Sequence, residues 1–125
     1  MRITCQLLLT PGLLLSSFLG ATKCANAWAF YWSKVEVQTS SWQGCMTIAN
    51  GVAAKRHLAQ LKRDNLAVSG TANGASATIT CIGTGGNSKA MAVVMVVGDA
   101  DGPVRQLRDA LATDVNRERI LDNNR

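Results

Sequence analysis

The sequence is short of the groups that carry out chemistry. Its 125 residues include one histidine, two prolines, six aromatic residues and only 17% charged side chains. A catalytic triad needs a nucleophile, a base and an orienting group. His57 has Arg56 and Leu58 beside it and no acidic residue three or four positions away. It reads as a solvent-facing residue in the middle of a helix. Gly83-Thr84-Gly85-Gly86 misses the spacing of the dinucleotide fingerprint, and no Gly-Lys-Ser/Thr follows. A strand follows it instead of a helix N-terminus that could hold an anion, so a hairpin turn is expected. Asp99-Ala100-Asp101-Gly102 resembles part of a calcium loop. It lacks the preceding acidic or amide ligand, where Val97 stands, and the later bidentate glutamate, where Arg108 stands. Met91 and Met95 have no histidine partner for soft-metal binding and read as packing residues. No catalytic residue, metal ligand or cofactor is assigned, and the chain is not read as an enzyme. The sequence also has no Asn-x-Ser/Thr triplet, which favours a bacterial periplasm over a glycosylating secretory path.

The first 27 residues contain several features of a removable secretory signal. Arg2 supplies an early positive charge, Leu7 to Ala21 is uncharged and dense in leucine, and Ala25-Asn26-Ala27 fits the A-x-A cleavage pattern. The apolar run falls short of the ~20 residues that span a bilayer, and Pro11-Gly12 interrupts it. Lys23 before Cys24 disfavours a lipoprotein site. Cleavage is expected after Ala27, with membrane contact only in transit, leaving residues 28–125 as a single small α+β domain in the periplasm or outside the cell. Of the four cysteines, Cys45 and Cys81 remain, and in an oxidising compartment they are expected to pair. The domain keeps eleven cationic against eight acidic side chains. That balance suits solubility and gives no nucleic-acid signature.

Hydrophobic periodicity orders the remainder. Val35 and Val37 alternate with Lys34, Glu36 and Gln38, as in a half-buried strand. Ser40 with Gln43 predicts a capping box, followed by a helix with Cys45, Ile48, Ala49, Val52 and Ala59 on one face, closing at Lys62 to Asn65. Leu66 to Gly70 is a short strand or the start of one, and Thr71 to Gly74 is a loop. Ala75 to Ile82 and Lys89 to Val97 form a hairpin around the glycine-rich turn. Asp101 is expected to cap a last helix with the stripe Val104, Leu107, Leu111 and Val115. The predicted order is β-α-β-β-α: a small antiparallel sheet with two helices packed on one face, a sandwich of ferredoxin-like type. In it Cys45–Cys81 staples the first helix to the sheet.

Two surface features invite function. Lys55, Arg56, Lys62 and Arg63 make two i, i+7 pairs on the expected helix and form a candidate anion-binding stripe. Both faces of Ala90 to Val97 are apolar, so one face needs a cover other than the helices. Trp28, Phe30, Trp32, Met91, Val93 and Met95 are the candidate interface, which marks self-association through the sheet. The alternative is a ligand- or surface-binding module using the Lys55 to Arg63 stripe.

From Val35 to Leu111 the chain resembles small exported bacterial proteins of unknown function with a single disulfide. In these a strand leads to a helix starting near a cysteine, and a later hairpin strand carries the second one. The matching residues are Cys45, Ala49, Cys81 and the valine-rich strand. The resemblance implies no activity.

Overall fold

The computed structural model describes residues 28–84 and 88–120. The expected signal, the centre of the glycine-rich turn and the last five residues lie outside the described residues. The element order is β1 (Ala29–Glu36), α1 (Trp42–Lys55), β2 (Ala59–Arg63), β3 (Ala67–Ala72), β4 (Ala75–Ile82), β5 (Met91–Gly98) and α2 (Asp101–Arg117). The strands form one antiparallel sheet in the order β1-β5-β4-β3-β2.

The α+β class is as expected, but the sheet has five strands and not three. The ferredoxin-like arrangement is not the one found, because the strand order differs: β1 is an edge strand beside β5, and β2 to β5 form a meander. Two strands are added: β2, which the sequence pattern merges into the first helix, and β3, which takes in Thr71 and Ala72 of the expected loop and stands as a strand separate from β4. The first helix does not run to Asn65 but stops at Lys55, with Arg56 as its C-cap. His57 adopts φ 54° and donates its N–H to Ala54 C=O, while Leu58 N–H reaches back to Ala53 C=O. This is the Schellman stop, with a left-handed residue after the cap and an apolar one next to it. Leu58 is buried and pins the reversal to the core. His57 is therefore a turn residue after the helix and not a mid-helix one.

Tight turns close the meander. Asp64 Oδ1 accepts the N–H groups of Leu66 and Ala67 at 2.8 Å each, folding the chain between β2 and β3. Asn73 and Gly74 both have positive φ (51° and 75°), the geometry of a two-residue type I′ hairpin. Two caps differ from expectation. Ser41, not Ser40, caps α1, its hydroxyl accepting Gly44 N–H at 3.0 Å. Ala100 is the N-cap of α2 and makes no side-chain cap bond. Asp101 is instead the first helical residue, held by the Tyr31 hydroxyl.

Both helices lie on one side of the sheet. α1 runs under β3 and β4, and α2 under β1 and β5. Ile48, Ala49 and Val52 of α1 and Val104, Leu111 and Val115 of α2 share a core with Val68, Ala77, Ile79, Ala92, Val94 and Val96 of the strands. The small side chains of β4 and β5 let the helices sit close. Cys45 and Cys81, both buried, are disulfide-bonded with their Cα atoms 5.9 Å apart. The bond ties α1 to β4, as the cysteine positions predict.

Candidate interaction face

Strand alternation sends every second residue to the side away from the helices. The register gives the resulting rows directly. Phe30 lies beside Val97, Ser76 and Thr71; Trp32 beside Met95, Thr78 and Ser69; Lys34 beside Val93, Thr80 and Ala67; and Glu36 beside Met91 and Ile82. The face has two halves. Over β3 and β4 it is mainly hydroxyls and small side chains. Over β1 and β5 it is aromatic, methionine and valine, with Lys34 and Glu36 at one end.

Five of the six residues expected to form an interface therefore meet on two adjacent strands: Phe30, Trp32, Met91, Val93 and Met95. Trp28 immediately precedes β1. Phe30 and Trp32 are 56% and 58% exposed and Trp28 66%, while the β5 residues are half-buried between their neighbours. An aromatic side chain carries roughly 150–250 Å², so these three leave on the order of 300–450 Å² of apolar surface in water. Monomeric proteins rarely expose apolar patches beyond a few hundred Å².

The basic residues do not assemble as expected. Lys55 ends α1, Arg56 caps it, and Lys62 and Arg63 sit on β2, so no helical stripe exists. Arg56 forms a two-pronged pair with Asp114 of α2, Nε to Oδ2 at 2.5 Å and Nη2 to Oδ1 at 3.1 Å. The hydrogen bond from Arg56 lowers the Asp114 pKa against an opposing desolvation, with help from the charges of Arg56, Lys55 and Arg117. The same bond raises that of Arg56.

The edges of the sheet show what the sequence did not signal. Val37 N–H donates to Ala90 C=O, so in this register the odd-numbered residues of β1 carry the ladder to β5. The even-numbered residues, Phe30, Trp32, Lys34 and Glu36, turn their backbone groups to the free edge. Side chains of α2 reach round to two of them. Arg108 Nη1 donates to Trp32 C=O and Ser33 Oγ, both at 3.0 Å, and its guanidinium lies 5.6 Å from the Tyr31 ring centre. Arg108 Nε stands 2.7 Å from Asp109 Oδ1 without the alignment of a hydrogen bond. Asn116 Nδ2 donates to Glu36 C=O at 2.9 Å.

Among the described residues no group of three or more His, Cys, Asp or Glu could hold a metal ion. No described helix is long and apolar enough to cross a membrane. Compared with family models, curated proteins and solved structures, the chain matches none.

Proposed function

We propose that this is an exported, non-enzymatic interaction domain that self-associates through the open face of its sheet. The apolar half-face over β1 and β5 carries the proposal, since Phe30 and Trp32 stand more than half exposed on a sheet whose other side carries both helices. A second copy suits this face on two grounds. A standard interface takes about 800 Å² from each partner, and the three aromatics alone supply close to half of that. The face also carries its own complement. If the second copy is turned end for end along the strands, Trp32 meets Lys34 of the second copy and Met95 meets its Val93. A lysine over a tryptophan ring adds cation–π attraction to the apolar burial. A disulfide persists in oxidising compartments, which supports a periplasmic or secreted setting.

The test is sedimentation of the protein from an unreduced periplasmic extract, alone and as Val93→Lys. The expected result is a parent at a multiple of the chain mass, insensitive to salt because the contact is apolar, and a monomeric Val93→Lys. A parent that is monomeric across the accessible concentration range would overturn the proposal. Denatured mass checks the export step: a chain beginning at Trp28 and lighter by two hydrogens is expected, and an uncut or lipid-bearing N-terminus would contradict it.

A further inference from the structure

A sheet with an eight-residue edge strand can recruit a copy of itself in two ways, by stacking faces or by extending the ladder. Extension needs a row of unpaired N–H and C=O groups, and open edges of this kind lead to unlimited assembly. This sheet closes its two edges by different means. β2 is five residues long, its pairing with β3 shifts register between Ala59 and Lys62, Gln60 has φ 52°, and it carries Lys62 and Arg63. Shortness, a bulge and cationic side chains are recognised ways of blunting an edge.

β1 is neither short nor bulged, and Lys34 is its one cationic side chain. It is eight residues long, pairs with β5 in unbroken register and carries two exposed aromatics. Its protection comes from α2. Arg108 occupies Trp32 C=O and Asn116 occupies Glu36 C=O, two of the four carbonyls on the outward edge. They stand four residues apart on the strand, and their donors stand eight apart on the helix. A rise of about 3.3 Å per strand residue and 1.5 Å per helix residue makes these spans nearly equal, so the helix can fasten the strand at two points. Ser33 Oγ and the Tyr31 ring hold the Arg108 guanidinium in place, and Gln38 Nε2 donates to Asn116 C=O at 3.3 Å beside the second point.

We propose that Arg108 and Asn116 latch the β1 edge shut, so that a second copy can only stack on the open face and assembly stops at a finite size. The inference rests on the self-association proposed above for its account of the parent, but the latch has its own test. In Arg108→Ala/Asn116→Ala the Trp32 and Glu36 carbonyls are free, and edge pairing becomes available. The expected result is a weight-average mass at least doubled relative to the parent and rising with concentration. Adding Lys34→Pro should bring the mass down to that of Lys34→Pro alone, a comparison that holds constant any loss of the Lys34 contact on the open face. Lys34 N–H faces the open edge, so proline there removes no internal ladder bond yet denies one to an incoming strand. Asn116→Ala alone changes only an exposed residue in the last turn of α2 and should give a weaker effect in the same direction in a fully folded protein. If the double variant is folded by circular dichroism and keeps the parent's mass at every concentration, the latch is wrong. If it grows but Lys34→Pro does not reverse the growth, the assembly is not edge pairing, and the latch is again wrong. A monomeric parent whose double variant grows and is reversed by Lys34→Pro would sink the face-to-face reading and leave the latch standing.

Discussion

On β5, Ala92, Val94 and Val96 are fully buried beneath the helices, whereas Met91, Val93, Met95 and Val97 on the opposite side are only half-covered, by their strand neighbours. The two sets are about equally apolar. What separates them is what lies above each. On the covered side two helices close the layer, and a disulfide and an ion pair fasten them to the sheet and to each other. On the open side Phe30 and Trp32 stand up from an edge strand with nothing across from them among the described residues. Burial in the monomer explains the first set. The second set is made of residues that cost solubility, and in the self-association proposed above a second copy covers them.

The sharpest way to break this contrast is to place one lysine on either side of the same strand. Val94→Lys puts a charge into the core without a partner, which costs about 3–5 kcal/mol. That is a large share of the ~5–15 kcal/mol that holds a small domain together, so the variant should show a sharply lowered urea midpoint by circular dichroism. Val93→Lys, one residue away, should cost under ~1 kcal/mol in urea titration while abolishing self-association. If Val93→Lys lowers the midpoint as far as Val94→Lys does, the two faces are both core, and the open face is closed by the chain itself.

Removing the disulfide acts only on the covered side. The bond closes a span of 36 residues, for which chain entropy gives about 3–4 kcal/mol of stabilisation. Cys45→Ala/Cys81→Ala should lower the urea midpoint accordingly and leave the self-association constant unchanged under conditions where the domain stays folded. A change in association with no change in midpoint would show that the bond serves the open face, contrary to its position between α1 and β4.

The parts legible in the sequence are those where period and pairing agree. The two-sided apolarity of β5, the hairpin it makes with β4, the stripe on α2 and the Cys45–Cys81 bond all follow from alternation, spacing and redox chemistry. What was missed lies where backbone geometry is set by residues that do not announce it. A glycine after Lys55 would have marked the end of α1, but His57 takes the left-handed position and conceals the stop. The basic residues beyond it then read as one helical stripe. Asn73-Gly74 did signal a two-residue hairpin, and giving it full weight would have separated β3 from β4. The roles of Arg108 and Asn116 could not be read at all, because a side chain that reaches a strand carbonyl some 76–80 residues away leaves no local pattern.

The smallest expected effect tests the seam between the helices. The hydrogen bond from Arg56 holds the Asp114 carboxyl below its usual value of 3.8. A carboxylate with a depressed folded pKa stabilises the fold fully above its unfolded value, and the contribution disappears as pH falls through the lower folded one. Because Arg56 is 42% exposed, screening keeps the pair to about 0.2–1 kcal/mol. The parent should therefore lose that amount as pH falls from about 5 through the depressed pKa of Asp114, and Asp114→Asn should show neither the contribution nor that part of the pH dependence in urea titrations. The open face holds no part of this pair, so its association should not follow the same acid titration as long as the domain remains folded. If association and stability fell together along the Asp114 titration, the helical layer and the open face would be coupled, and the division between a packed side and a binding side would have to be given up.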